Sequence, residues 1–263
     1  MVEKEEYFFT SPLSTSGKSS LVPPPPWIYG IENISAHVFF NVNSILDFVP
    51  KPLEVEDGEG WIYIASIIST SERDLKMLYE EPELTQYMEW AIAVKVKFNN
   101  SYYTYFPFMW VDKDFALYRG IILGYPKKFA KVEMTKFNPM LKGYSEPREG
   151  IRIGGYSVRG GEKLMKMIIE LKEKIDKIPF PFGPIVQFRR FPSVIEGTDV
   201  FELVQVIAEA EVKEGWKGDV IKLELNGGIN DEVDKFKVEK VLGGYYYNWF
   251  LRQKGVKLLY KVE

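Results

Sequence analysis

The chain has 263 residues, 34 basic and 37 acidic side chains, a formal net charge of −3, one histidine and no cysteine. Without cysteine there is no thiol nucleophile, disulfide or thiolate metal site, and a serine-histidine-carboxylate triad would have to use His37. The balanced charge leaves no footprint for nucleic acid or an anionic membrane, and no apolar run approaches the roughly 20 residues of a bilayer span.

The start, Met1-Val2-Glu3-Lys4-Glu5-Glu6, is acidic and lacks the basic-then-apolar order of a signal peptide, so a cytoplasmic protein is expected. Residues 1–26 read as an extended arm. Ser11 to Ser20 is small and polar, and Pro23-Pro24-Pro25-Pro26 favours polyproline conformation, suited to a strap on its own domain or on a neighbouring subunit. Residues 27–263 read as a single domain. Asn43-Ser44 caps a short helix ending before Pro50. Strand-like runs follow at 36–42, 61–69, 90–98, 102–111 and 115–124, and Ser71-Glu72-Arg73-Asp74 has capping-box spacing for a short helix toward Tyr79. His37, within Ala36-His37-Val38-Phe39-Phe40, reads as a structural strand residue.

Leu164, Met167, Ile168, Leu171, Ile175 and Ile178 recur at three- and four-residue steps, which predicts one long helix. Strand patterns return at 185–190, 200–212, 220–225, 235–247 and 256–262, punctuated by Gly227-Gly228 and Gly243-Gly244. Many strands without regular βα alternation predict an α+β fold, a mainly antiparallel, barrel-like sheet with one long and a few short helices. The abundance of Lys, Glu, Ile and Tyr and the lack of cysteine fit a thermophilic source.

With cysteine absent and histidine set aside, catalysis falls to lysine, carboxylate, tyrosine or arginine. Gly124-Tyr125-Pro126-Lys127-Lys128-Phe129-Ala130-Lys131 places two lysines after a rigid Tyr-Pro, between Ile121-Ile122-Leu123 and Phe129-Ala130. They are either a solvated surface pair or a buried functional one. A nucleophilic lysine must be neutral, and bringing its pKa from about 10.4 to near 7 takes roughly 5 kcal/mol. A second ammonium at ~7 Å supplies roughly 2.4 kcal/mol at an effective dielectric of 20. Burial in an apolar pocket supplies more, so burial is expected to dominate and the neighbouring charge to assist.

The segment resembles the active-site peptide of the acetoacetate decarboxylase family, a Tyr/Phe-Pro-Lys-Lys run. Companions occur in the family's order: Val49-Pro50-Lys51-Pro52-Leu53-Glu54, Tyr87-Met88-Glu89 and Glu214-Gly215-Trp216-Lys217-Gly218. The resemblance covers most of residues 21–263. It implies that Lys127 is the Schiff-base nucleophile, that Glu89 positions substrate or moves protons, and that Lys128 raises the local potential. It makes Tyr125 and Met109 candidate apolar walls and Arg119 a candidate binder of an anionic substrate, with a structural salt bridge as the other reading of Arg119. The implied substrate is a small keto acid, the implied assembly a homo-oligomer, and no metal or organic cofactor is called for because the imine is the electron sink.

The chain departs from the family pattern in three places. No arginine precedes Arg73, and a gapless register puts Glu32 where the family has its N-terminal arginine. Trp61-Ile62-Tyr63-Ile64-Ala65-Ser66 offers no carboxylate, and the usual Gly-Arg-Glu is here Tyr118-Arg119-Gly120-Ile121. Decarboxylation of acetoacetate or a related β-keto acid is the leading expectation. A Schiff-base aldolase or dehydratase for a larger keto acid is the alternative, and a non-catalytic barrel binding a small apolar ligand is the reading from outside enzymology.

Overall fold

The computed structural model describes residues 9–262, so the acidic first eight residues of the expected arm lie outside the described residues. From residue 9 to 26 the chain forms neither helix nor strand and docks on its own domain. The Thr10 hydroxyl donates to the Val22 carbonyl at 2.9 Å and accepts from its amide at 3.0 Å, while Ser71 Oγ donates to the Pro24 carbonyl at 3.0 Å.

The elements are β1 (Trp27–Phe40), α1 (Val42–Ile45), β2 (Glu59–Ser71), α2 (Met77–Glu80), β3 (Gln86–Phe98), β4 (Ser101–Val111) and α3 (Asp114–Leu123). There follow β5 (Lys127–Phe129), β6 (Lys131–Met134), β7 (Arg152–Arg159), β8 (Glu162–Ile175), β9 (Ile185–Phe191), β10 (Val200–Leu225) and β11 (Val238–Lys261). Strands pair in the order β11-β1-β2-β3-β4-β9-β10, and a further β10–β11 ladder closes these into a ring. The far half of β10 continues into β8, β7 and β6, and β5 adds to β4 in parallel. The fold is the α+β, mainly antiparallel, barrel-like one expected.

Strands β1 to β4 are largely buried on both faces, which explains their nearly continuous apolar sequences. One face, with Trp27, Tyr29, Trp61, Tyr63, Ala91 and Phe106, packs inside the barrel against Phe115, Ala116 and Leu123 of α3. The other, with Ile62, Ile64, Trp90, Ile92 and Trp110, packs against Val132, Ile153, Met165, Met167 and Ile169 of β6 to β8.

Two elements differ in kind from their sequence patterns. The long helix expected from Leu164 to Ile178 is strand β8, followed by loop. Met165, Met167, Ile169 and Leu171 are fully buried at two-residue spacing, a period that coexists in this sequence with the helical one. Pairing on both edges, with β7 and β10, overrides the helical preference of Leu, Met, Lys and Glu. Conversely, the strand expected at 115–124 is helix α3. Its buried residues Phe115, Ala116, Arg119, Gly120 and Leu123 follow helical spacing, Asp114 lies in its first turn, and Gly124 ends it at φ +97°.

Smaller differences concern boundaries. Asn41, not Asn43, caps α1, accepting from the Ser44 amide at 3.2 Å. Ser71 ends β2 rather than opening a helix, and α2 begins at Met77. Runs 200–212 and 220–225 join as β10, and runs 235–247 and 256–262 fall almost wholly within β11. His37 is a β1 residue stacked on Trp61 at 4.5 Å, with Nε2 2.8 Å from Glu59 Oε1, and burial lowers its pKa. Among the described residues no helix is long and apolar enough to cross a membrane.

Candidate active site

The helix α3 ends in a tight connection that aims Lys127 into the barrel. The Tyr125 amide donates to the Gly120 carbonyl at 2.9 Å, and the Lys127 amide donates to the Tyr125 carbonyl at 2.8 Å. From there β5 runs parallel to β4 with Lys127 opposite Met109 and Lys128 opposite Trp110. Successive strand residues point to opposite faces, so one lysine enters the barrel interior and the other leaves it.

Inside, Lys127 borders a cavity with about 60 Å³ of space open to the centre of a water-sized sphere. Its walls include Tyr29, Tyr63, Tyr87, Phe106, Met109 and Tyr125. Two of the tyrosine rings face the ammonium, Tyr87 at 5.2 Å and Tyr125 at 5.9 Å from Nζ. The lysine side chain lies flat along α3 at Gly120. A methyl group there would sit 2.2 Å from the lysine Cδ, so the helix must carry glycine for the lysine to pass.

Glu89 meets the lysine from β3, with Oε2 2.7 Å from Nζ and both side chains under 10% exposed. Its other oxygen accepts from the Tyr63 hydroxyl at 2.6 Å, which fixes the carboxylate plane. Alanines at 65 and 91, both fully buried, flank Glu89 and Tyr63 on the same face and leave the space open.

Arg119 enters the cavity from α3. It is 3% exposed and forms no ion pair among the described residues; Nη2 donates to Ser69 Oγ at 2.6 Å, and the guanidinium also hydrogen-bonds the Tyr87 hydroxyl. Four rings surround its guanidinium, with Tyr29 at 4.8 Å, Phe115 at 5.6 Å, Tyr87 at 5.8 Å and Trp27 at 6.0 Å. Cation–π contacts offset part of its desolvation, and the structural salt bridge considered for Arg119 is not formed.

Burial pushes the Lys127 pKa down, and its direction stays downward although Glu89 opposes it; the Arg119 charge adds to the lowering. Burial was the dominant effect expected. The assisting cation is different. Lys128, expected to raise the potential at Lys127, leaves by the opposite face, where Nζ lies 3.0 Å from Asp231 Oδ1 and donates to the Asn230 carbonyl. Asp231 also accepts from Trp110 Nε1 at 3.1 Å and Arg159 Nε at 3.0 Å. Arg119 supplies the charge at the cavity instead.

Five of the six sequence candidates thus converge: Lys127, Glu89, Arg119, Tyr125 and Met109 all line the cavity. Glu32 does not; it faces outward and accepts from the Tyr246 hydroxyl at 2.7 Å. Its neighbours Ile31 and Asn33 line the cavity, so β1 presents only neutral residues there. Sequence reasoning missed Tyr63, Tyr87, Gly120 and Gln253. Tyr87 was legible, being two residues before Glu89 on a strand and hence on the same face. Gln253, which accepts from the Tyr29 hydroxyl at 2.8 Å, arrives from the far end of the chain with no local signal. Among the described residues, no group of three or more His, Asp or Glu side chains converges to hold a metal.

A lysine kept dry beside a carboxylate that can take its proton, with a second cation in the same cavity, is suited to condense as the neutral amine with a ketone whose anionic group that second cation holds. Comparison with known proteins agrees with this layout at the level of fold and family. An acetoacetate decarboxylase-like enzyme from Sphingomonas wittichii RW1 superposes with TM-score 0.89 at 26% identity, over 95% of this chain and 99% of that one. The enduracididine biosynthesis enzyme MppR, complexed with the condensation product of pyruvate and imidazole 4-carboxaldehyde, gives 0.86 at 22% identity over 95% of each chain. Acetoacetate decarboxylase from Legionella pneumophila subsp. pneumophila str. Philadelphia 1 gives 0.75 at 16% identity over 99% and 96%. No curated protein matches the sequence. The family model "Acetoacetate decarboxylase (ADC)" matches residues 10–262, and the chain belongs to that family.

Proposed function

We propose that the protein is a Schiff-base lyase acting on a keto acid, with Lys127 as nucleophile, Glu89 as proton carrier and Arg119 as the carboxylate anchor. The observation that carries this reading is the pair of cations in one dry cavity, of which only Lys127 has a carboxylate partner. A buried guanidinium left unpaired is costly, and a substrate carboxylate would pair it.

The ammonium proton passes to Glu89 Oε2 over the 2.7 Å contact, leaving a neutral amine whose lone pair attacks the ketone carbon. Protonated Glu89 then delivers a proton to the carbinolamine oxygen; water leaves and an iminium forms. Tyr63, by holding the other carboxylate oxygen, keeps Glu89 aligned for both transfers.

With a 2-keto acid, the carboxylate stays on Arg119 and Glu89 removes a proton from the carbon next to the iminium. The resulting enamine adds to an aldehyde, or expels a β-hydroxyl as water. Aldol or dehydration chemistry is therefore the reading the cavity favours. An ion pair with Arg119 steadies the carboxylate and works against its loss as CO2. That MppR has been captured with a condensation product of pyruvate supports the same direction. The second reading is decarboxylation of a β-keto acid, in which the C–C bond electrons flow to the iminium, CO2 departs and the enamine is reprotonated; membership of the acetoacetate decarboxylase family favours it.

Borohydride added with pyruvate or acetoacetate should leave a reduced adduct on the peptide containing Lys127, read by mass spectrometry. Release of CO2 from acetoacetate selects decarboxylation, and an adduct with pyruvate plus an aldehyde-dependent product selects the aldol reading. No adduct with any keto acid overturns the proposal in favour of a ligand-binding barrel. The exposed apolar residues Ile207, Val212, Phe250 and Leu258 of β10 and β11 support assembly as a homo-oligomer, which a monomeric mass in solution would refute.

A further inference from the structure

Beyond Glu89, the cavity wall formed by β1 and β11 carries two polar atoms that the proposed imine chemistry does not use. Asn33 Oδ1 and Trp249 Nε1 both belong to residues lining the cavity, and both are buried without a hydrogen-bond partner. Asn33 is only 2% exposed. Buried polar atoms are almost always paired, so a lone acceptor and a lone donor on one wall of a cavity need an account.

Their placement follows from strand register. Asn33, Ala65 and Glu89 are direct cross-strand partners in a row on the cavity face, separated by two strand spacings or about 10 Å. The middle member is alanine, so the row itself puts no large side chain between the Glu89 carboxylate and the Asn33 carboxamide. Trp249 pairs with Ile31, two residues from Asn33, and so lies diagonally across from it on the same face. The Tyr247 hydroxyl lies beside Asn33 and Ser35 deeper in the same wall.

One group can answer both an acceptor and a donor on the same wall only if it donates and accepts. A hydroxyl donates its hydrogen to Asn33 Oδ1 and accepts the Trp249 indole N–H. A carboxylate offers no hydrogen to the asparagine oxygen, and a methyl group satisfies neither atom. We infer that the substrate is a hydroxylated keto acid, whose hydroxyl sits on the chain beyond the carbonyl carbon and is recognised by Asn33 and Trp249. The inference rests on the Schiff-base reading and deepens it. The carboxylate binds Arg119, the carbonyl carbon meets Lys127, and the hydroxyl reaches the β1–β11 wall. Aldol addition to an enamine generates such a hydroxyl and β-elimination consumes it, so one reaction class of the cavity would make or use this substrate.

The test is a ladder of keto acids trapped by borohydride on the whole protein: 2-oxohexanoate and its 4-, 5- and 6-hydroxy derivatives, each with the concentration giving half-maximal adduct on Lys127. At least one hydroxy acid should reach half-saturation at about tenfold lower concentration than the parent, the gain expected from two hydrogen bonds. Trp249→Phe, which keeps the ring and removes the N–H, and Asn33→Leu should each shrink that ratio severalfold. If every hydroxy acid traps no better than 2-oxohexanoate while adducts form on Lys127, the inference falls and the imine reading stands. A ratio unchanged in both variants also overturns it. If no keto acid gives an adduct, the imine reading fails and the inference with it. The wild-type ladder decides the matter even if a variant does not fold.

Discussion

The two faces of β5 put identical side chains to different uses. Lys127 points into the barrel, where its side chain is 7% exposed and its one ionic partner is Glu89. Lys128 points to the other face, where its side chain is 33% exposed and tied to Asp231 alongside Arg159 and Trp110. The first environment lowers the pKa through burial; the second anchors β5 to the loop between β10 and β11. The contrast teaches that the strand's alternation, more than the lysine pair as a charge motif, selects the nucleophile. The two-residue period of a β-strand separates the residues that a linear motif places together.

The sharpest way to break this comparison is to remove each lysine in turn. Lys127→Ala should abolish the borohydride adduct and lower turnover on the order of a thousandfold or more. Lys128→Ala should keep the adduct and instead lower the melting temperature, with a loss of about 1–2 kcal/mol from an ion pair that is one-third exposed on the lysine side. Equal effects of the two substitutions on the adduct would erase the distinction between the faces.

Next in size is Glu89→Gln, expected to cost about 10²–10⁴-fold in turnover because the proton carrier is lost. Its pH behaviour has a definite sign. The neutral amine is the reactive form, so activity is lost as pH falls through the Lys127 pKa. Glu89 holds that pKa up against burial, so its neutralisation should move the acidic limb of the pH–rate profile to lower pH. Arg119 holds the pKa down, so Arg119→Leu should move the limb to higher pH. The same variant should weaken keto acid binding by roughly 10–100-fold, the loss of a charge-assisted contact, seen as a rise in half-saturating concentration. A limb that moves the same way in both variants contradicts the assignment of charges.

Gly120→Ala probes the packing side of the comparison. The added methyl falls on the lysine side chain, while Lys128 on the other face is untouched. Trapping rates should fall by about a hundredfold through misplacement of the amine, with the melting temperature little changed. A normal trapping rate would show that the lysine has another path into the cavity.

Much of this site was legible in the sequence because chemistry and order survive without coordinates. The Tyr125-Pro126-Lys127-Lys128 run, Glu89 within Tyr87-Met88-Glu89, and Arg119 eight residues before Lys127 are local in sequence. The elements around them were less legible. In β8 the sequence supports two periods at once, and only the ladders to β7 and β10 choose between them. In α3 the apolar run Phe115 to Leu123 is interrupted by Tyr118-Arg119-Gly120 and reads as a strand, although Asp114 and Gly124 are helix start and stop signals. That difference matters for function, since only a helix places Arg119 and Gly120 beside Lys127. The aromatic cage of Arg119 is assembled from β1, β3 and α3, which are far apart in sequence, and no local pattern announces it.

The most direct test compares the two lysines within one molecule. Wild-type protein is treated with pyruvate and cyanoborohydride across a range of pH, and adducts on the Lys127-Lys128 peptide are assigned to each position by fragmentation mass spectrometry. The adduct is predicted on Lys127 alone, forming well below the pH at which an ordinary lysine loses its proton. Modification of Lys128 to the same extent, or an adduct at Lys127 only at the pH of a free amine, would contradict a nucleophile selected by burial on the inner face of β5.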